Sequence, residues 1–311
     1  MMDFTYSIVV PHYNSHDELD RLFESIPARA DIQIIVVDDN SKEAIDVSGF
    51  SDKHHRHHIE FYVNDTGVDG AGSARNIALS HVRGQYTLFA DADDFFCDGA
   101  FELLDTILQG DDIAYFSPTA QCDLTGGDSD RHHLYANLVN DYLSVGDEEI
   151  RYHFSVPWSK VYLTEFLEDH ALYFDDVIAS NDVMFSLVSG HKAERIAAYQ
   201  DEIYCVTRGK GTLTVNFQPE VVRSRYLVEI ARADYIAKFD ITTEKPSFYK
   251  MVKNFHKVMS FGEFAYAFGL VLQRKITVVP RRTYYYLKNP FEAFSRVFNK
   301  KSSVSSQRYQ A

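Results

Sequence analysis

The chain has 311 residues, 45% of them apolar, with ordinary glycine and proline content and a formal charge of −14. That composition excludes disorder, collagen-like repeats and low complexity, and the negative balance excludes a general nucleic-acid binder, whose phosphate contacts need a basic surface. Cys97, Cys122 and Cys205 stand far apart in sequence, match no metal spacing and leave one over in any disulfide pairing, which favours a reduced, cytoplasmic setting.

The opening residues, MMDFTYSIVVPHYN, show no basic leader followed by an apolar stretch of signal length, and no run of about 18 apolar residues occurs anywhere, so neither a secretory leader nor a membrane span is predicted. Tyr6–Val10 is a β-branched apolar run that predicts a buried strand stopping at Pro11. His16–Ile26 puts Leu19, Leu22, Phe23 and Ile26 on one helical face. Ile32–Val37 predicts a second strand that runs into Asp38-Asp39-Asn40-Ser41. His54–His58 reads HHRHH and, with nothing around it to fix a tetrahedral geometry, is read as a solvated loop. Ile59–Val63 predicts a third strand, followed by a glycine-rich turn and a helix over Ser73–Val82. Tyr86–Ala90 predicts a fourth strand, which delivers Asp91-Ala92-Asp93-Asp94. Phe101–Leu108 then reads as helix, Ile113–Phe116 as strand, Gln121–His133 as a long polar loop and Leu134–Leu143 as helix. Asn181–Val188 predicts a short helix with a polar cap, and Ile196–Tyr199 and Ile203–Val206 predict late strands. Beyond Pro219 only helices are expected, over Val221–Phe239, Ser247–Met259 and Phe264–Leu272.

Strands alternating with helices at this spacing predict an α/β fold over residues 1–218, with a Rossmann-like, mostly parallel central sheet flanked by helices. Residues 219–311 are expected to form a C-terminal, mainly helical extension. Charge is split in the same sense: from Lys245 onward there are 13 Lys/Arg against Glu263 and Glu292, while the preceding residues carry 18 Lys/Arg and 43 Asp/Glu. The basic tail suggests contact with an anionic membrane surface. Phe261, Phe264, Phe268 and Leu272 fit an apolar stripe for such contact and equally fit a packed core.

Polar clusters follow the first, second and fourth strands, and open α/β sheets bind ligands beside the carboxyl ends of their strands. Strand alternation places Asp91 and Asp93 on one side, with Asp94 turned away. Like-charged oxygen ligands this close suit Mg²⁺ or Mn²⁺, which keep coordination positions for substrate phosphates. Asp39, on the same side as Val37, is the expected contact for a base or ribose. Gly70-x-Gly72 invites a dinucleotide-binding reading, but the third glycine of that fingerprint falls on Arg75 and the turn follows the third strand. Arg75 and Asn76 instead start a helix at the sheet's edge, where a guanidinium fork and an amide can meet a base or carboxylate.

In order, these pieces resemble the large inverting glycosyltransferase family 2, of bacterial surface-polysaccharide type, whose members have the GT-A fold. Ser7-Ile8-Val9-Val10-Pro11-His12-Tyr13-Asn14 resembles the family's opening strand and Pro-x-Tyr-Asn turn, and Ile34–Ser41 its second strand with a base-recognising Asp. Gly70-Ala71-Gly72-Ser73-Ala74-Arg75-Asn76 is similar to its Gly-x-x-x-Ala-Arg-Asn segment, and Asp91-Ala92-Asp93-Asp94 to its metal motif. Val156-Pro157-Trp158-Ser159-Lys160-Val161-Tyr162 resembles a Trp-x-Lys-hydrophobic-Tyr segment on the acceptor side of the cleft. Asn181-Asp182-Val183-Met184-Phe185 is similar to the Glu-Asp-x-x-Phe segment that supplies the catalytic base, with Asn181 in place of the Glu.

The resemblance implies a metal-dependent transferase that moves a sugar from a nucleotide-diphosphate donor, UDP-linked by default, to a saccharide hydroxyl on a lipid-linked acceptor. Pro11, Tyr13, Asp39, Arg75, Asn76, Asp91 and Arg208 would bind the donor, with Arg208 in a late Arg/Gly/Thr loop. Asp91 and Asp93 would hold the metal, and Asp182 would be the base. Trp158, Lys160, Asp175, Asp176 and Asn181 would face the acceptor, at the inner face of the cell membrane. Two rivals are a metal-dependent nucleotidyltransferase, which needs a basic glycine-rich loop where Pro11-His12-Tyr13-Asn14 stands, and a noncatalytic saccharide-binding or scaffold protein.

Overall fold

A computed structural model describes residues 4–122, 127, 129–208 and 217–280. The elements in chain order are β1 (Phe4–His12), α1 (His16–Ser25), β2 (Ile32–Asp38), α2 (Val47–Lys53), β3 (His58–Val63), α3 (Ala71–Leu79), β4 (Gly84–Phe89), β5 (Phe95–Phe96), α4 (Ala100–Ile107), β6 (Ile113–Phe116) and β7 (Thr119–Cys122). They continue with α5 (His133–Val145), α6 (Ile150–His153), β8 (Lys160–Leu163), α7 (Thr164–Asp169), α8 (Asn181–Lys192), β9 (Ile196–Tyr199), β10 (Tyr204–Arg208), α9 (Pro219–Lys238), α10 (Phe248–Phe255) and α11 (Phe261–Leu272).

Seven strands form the main sheet in the order β3-β2-β1-β4-β8-β6-β9, and β5-β10-β7 form a small second sheet. All adjacent pairs of the main sheet are parallel except those of β8, which runs antiparallel to both β4 and β6. The central strands are continuous apolar runs because both faces are covered. Alternate residues divide between two cores: Ile8, Val10, Ile34, Val36 and Leu88 pack with Leu19, Leu22 and Phe23 of α1 and with α4. Val9, Ile35, Val37 and Phe89 pack on the other face with Ala74 and Ala78 of α3 and Phe185 of α8.

β1 does not stop at Pro11. It pairs with β2 through Pro11 and His12, opposite Val37 and Asp38. The Asp39 N–H donates to the His12 carbonyl at 2.8 Å, while the Val9 carbonyl accepts from Ala90 at 3.0 Å on the β4 side. Alternation therefore aims the proline's missing N–H toward the β4 edge, past the last paired residue there, so no ladder bond is lost. The short elements α2, β5, β7, α6, β8 and α7 were not among the predicted ones; β7 occupies the start of the expected loop at Gln121. In the HHRHH segment His55, Arg56 and His58 are exposed, as a solvated loop requires, but His54 is not. His54 is 6% exposed, with its Nε2 2.8 Å from Asp20 Oδ1 and its ring against Phe23 and Phe50, because Phe23 and Phe50 form an apolar shelf beneath it.

The chain divides into two compact units, with the break after Val228 inside α9. Within the second, Ala233, Met251, Ala267, Leu270 and Ile276 form a separate small core. Its helices start at local caps: Ser247 accepts from the Lys250 N–H, and Ser260 with Glu263 forms a capping box. Among the described residues no helix is long and apolar enough to cross a membrane.

Candidate active site

After β4 the chain turns sharply over residues 91–94, where the Asp94 N–H donates to the Asp91 carbonyl at 3.0 Å. The small sheet holds this turn from one side. The Asp91 N–H donates to the Tyr204 hydroxyl at 2.8 Å, and that hydroxyl donates to Asp94 Oδ2 at 3.1 Å. The Thr207 N–H donates to Asp94 Oδ1 at 2.7 Å, and its hydroxyl to the Asp93 carbonyl at 2.6 Å. The Arg21 guanidinium reaches the same carbonyl from α1. Asp94 is therefore not turned away, as a regular strand would place it. The turn replaces the extended form and brings Asp91, Asp93 and Asp94 together, each able to offer an oxygen within 4.8 Å of the others.

Burial, and then the neighbouring Asp93 and Asp91, raise the Asp94 carboxyl well above the usual aspartate range. Three carboxylates concentrated on one turn fit a hard divalent cation, which would relieve their mutual repulsion. Among the described residues this is the one such group of three metal-ligating side chains. Tyr204, Thr207 and Arg21 were not singled out from sequence. They lie far from the acidic run in the chain, and only the pairing of β10 with β5 brings two of them to it.

Arg75, at the start of the second turn of α3, is 5% exposed and joins the acidic turn to a second acidic position. Its Nη2 donates to Asp91 Oδ1 at 2.5 Å and its Nη1 to Asn181 Oδ1 at 3.0 Å, while the guanidinium lies 5.2 Å over the Phe174 ring. Phe174 in turn stacks on Phe185 of α8 at 4.0 Å. Asn181 starts α8, and Asp182 follows it in the first turn. Asp182 is only partly exposed; burial lifts its carboxyl to about 6, against the opposing pull of Arg75, and nearby Asp91 adds to the rise. A carboxyl held near neutrality beside a cluster of acids is suited to accept a proton.

Gly72 lets these parts close. A Cβ there would lie 2.5 Å from the Asp175 carbonyl and 2.9 Å from the Asn181 Cβ, so the start of α3 meets the start of α8 only through a bare backbone. Asn76, expected to meet a base or carboxylate, spends its amide on the Phe174 backbone, donating to the carbonyl at 2.9 Å and accepting from the N–H at 2.8 Å. It braces the loop that carries Asp175 and Asp176.

The remaining predicted residues fall into two sets. Pro11 is buried at the end of β1, and Tyr13 is 53% exposed just beyond it. Asp39 accepts from the Gly70 N–H at 2.8 Å and from Asn64 Nδ2 at 2.7 Å, tying the second strand end to the glycine-rich turn. The Arg208 side chain lies outside the described residues, although its backbone ends β10. Trp158 and Lys160, expected to face the acceptor, are buried, at 2% and 1% exposure. Trp158 packs on Tyr135 and Tyr204. Lys160 starts β8, donates to the Phe154 carbonyl at 2.7 Å, and is pushed down to about 7 by burial. Asp175 is partly buried and Asp176 exposed on the loop before α8. The three cysteines edge one groove of about 690 Å³ beside α1 and β5, and none is in a disulfide. Burial pushes the Cys97 thiol up to about 12.

The profile described as Glycosyl transferase family 2 matches residues 7–170. Poly(ribitol-phosphate) beta-N-acetylglucosaminyltransferase TarS of Staphylococcus aureus is 22% identical over 214 residues, covering 64% of this chain and 35% of TarS. The chain thus spans about a third of that relative's length. The uncharacterized glycosyltransferase EpsJ of Bacillus subtilis is 26% identical over 243 residues, covering 72% of this chain and 68% of EpsJ. The crystal structure of TarS 1-349 in complex with UDP-GlcNAc superposes with a TM-score of 0.55 at 20% identity, over 74% of this chain and 66% of that one. The mannosyltransferase PcManGT from Pyrobaculum calidifontis, in complex with GDP-Man and Mn²⁺, gives 0.50 at 14% identity, over 86% of this chain and 75% of that one.

Proposed function

The chain belongs to glycosyl transferase family 2, with the GT-A fold, and from that premise we propose that it moves one sugar from a nucleotide-diphosphate donor to a saccharide hydroxyl with inversion at the anomeric carbon. The observation that carries this reading is the Arg75 bridge, which links the acidic turn after β4 to the start of α8, beside a carboxyl raised to about 6.

Asp182 takes the acceptor proton as the new bond forms. At neutral pH it is mostly ionised yet close enough to neutrality to hold that proton, a contribution of roughly 10²–10⁴-fold. Arg75 keeps Asp91 oriented and, by pulling on Asp182, stops burial from neutralising it altogether. Tyr204 and Thr207 hold the acidic turn in place before any substrate arrives, so none of the binding energy is lost in ordering it. Mn²⁺ or Mg²⁺, held by Asp91 and Asp93 with Asp94 behind them, would neutralise the charge of the diphosphate leaving group.

Tyr13 offers an exposed ring to the base, and Asp39 one carboxylate to base or ribose. UDP is the nucleotide we assign to the donor, by resemblance and because the TarS structure binds UDP-GlcNAc. The acceptor would approach over exposed Tyr173 and Asp176, on the loop braced by Asn76, and not over buried Trp158. We assign it to a lipid-linked saccharide of bacterial surface-polysaccharide synthesis, at the cytoplasmic face of the membrane. Calorimetry with UDP, GDP and CDP in the presence of Mn²⁺ tests the donor site. Binding of none of the three would remove the basis of the proposal, and tighter binding of GDP would reassign the base.

A further inference from the structure

The second compact unit presents an apolar stripe. On α11, Phe261, Phe264, Phe268 and Leu272 are 88%, 41%, 49% and 72% exposed, while Ala267 and Leu270 on the opposite face are buried in the unit's small core. The stripe residues recur at intervals of three and four, so they share one side of the helix over roughly 16 Å. Four large apolar side chains in a row, only Phe264 and Phe268 of them partly covered by Phe248, are more than the scattered exposure a soluble surface shows.

Charge indicates what covers them. From residue 247 to 280 there are five Lys/Arg and one acid, Glu263, which is engaged in the cap of α11. Lys250, Lys253 and Lys257 lie exposed on and just after α10, the helix whose Phe248 packs edge-on against Phe264 and Phe268 of the stripe. The residues before Lys245 are strongly acidic, with 18 Lys/Arg against 43 Asp/Glu, so the exposed apolar residues fall in the basic part of the chain. A symmetric pairing of two such faces would oppose like charges. An anionic bilayer instead takes aromatic side chains into its headgroup region and lysines onto its surface.

We propose that the α10–α11 face docks the protein peripherally on anionic lipid. The proposal adds a membrane surface to the lipid-linked acceptor assigned above, and it is read without any sugar transfer, so either can fail while the other stands. The test is co-sedimentation of the full chain with phosphatidylcholine vesicles with and without about 30% phosphatidylglycerol. Binding is expected with anionic vesicles, weakened severalfold by 0.5 M NaCl, and little with neutral ones. Phe261→Ser with Leu272→Ser, and separately Lys250→Glu with Lys253→Glu and Lys257→Glu, should each weaken it by roughly tenfold or more while the unfolding midpoint stays unchanged. Binding as tight in the stripe double variant as in the wild type would assign lipid contact to the basic tail beyond residue 280 and overturn the proposal. So would absence of vesicle binding together with self-association that the same double variant abolishes.

Discussion

An Asp182→Asn substitution removes a charge from a carboxyl that burial holds at about 6, while leaving shape, the Arg75–Asp91 pair and the Arg75–Asn181 bond in place. Raising an aspartate from 3.8 to about 6 costs its ionised form about 3 kcal/mol in the folded state. The sign follows from linkage. Below pH 3.8 the group is protonated in both states and costs nothing; as pH rises through about 6 the folded state must release a proton it holds more tightly, and stability falls. The amide has no such term. Urea unfolding, followed through the emission of the single, buried Trp158, should therefore show Asp182→Asn more stable than wild type by up to about 3 kcal/mol at pH 8, and by about half that at pH 5. In the same samples, transfer should fall roughly 10²–10⁴-fold at saturating donor and acceptor. Wild-type turnover should rise with pH through a midpoint at about 6 and level off about one unit higher. Near-wild-type transfer by the variant, or a stability difference that does not shrink toward pH 4.5, would refute the assignment of Asp182 as a strained, buried base.

Asp93→Asn should weaken Mn²⁺-dependent UDP binding by calorimetry and lower transfer by roughly 10²-fold or more, and chelation of wild type should do the same reversibly on adding Mn²⁺ back. Gly72→Ala should cost about 1–3 kcal/mol in chemical unfolding, because its Cβ meets the Asp175 carbonyl, a backbone atom that cannot swing aside. A loss of transfer larger than that instability explains would follow from moving α8 relative to Arg75. Lys160, held at about 7 when folded and 10.5 when not, binds a proton more readily in the unfolded chain between those values, so its contribution to stability increases as pH climbs from 7 to 9.5. Lys160→Met should lack that increase, a difference of about 1–3 kcal/mol between the two pH dependences of the urea midpoint.

Much of this was legible in the chain because the signals were local. The apolar runs of β1, β2 and β4 located the strands, although β1 continues past its proline to His12, and the helical face of α1 was visible in Leu19, Leu22 and Phe23. What escaped depended on partners distant in sequence. β8 is four residues long and begins with a lysine, so nothing within it marks a central strand; its place is set by β4 and β6 on either side. The turn that gathers Asp94 with Asp91 and Asp93 has no glycine or proline to announce it and is imposed by Tyr204 and Thr207, more than a hundred residues later. Trp158 and Lys160 sit in a motif that resembles an acceptor wall, but in this fold the same residues fill the space behind α8 and the small sheet. Asn76 reads as a ligand-binding amide until Phe174 is seen to occupy both its groups.

The antiparallel insertion of β8 has a consequence for how variable the protein can be. β6 and β8 lie side by side, and the Phe116 N–H donates to the Ser159 carbonyl at 3.0 Å, so the excursion between them leaves and rejoins the sheet at one point. The span is nonetheless tied into the fold: Val139, Ile150 and Phe154 are buried in the core shared with Phe185 of α8, and Arg151 Nη1 donates to the Gly190 and Ala193 carbonyls, so exchanging it whole would disturb the helix that carries Asp182. Change is tolerated best at the exposed end of α5, residues 143–146, where length can vary while the buried faces of α5 and α6 go on holding α8 in place.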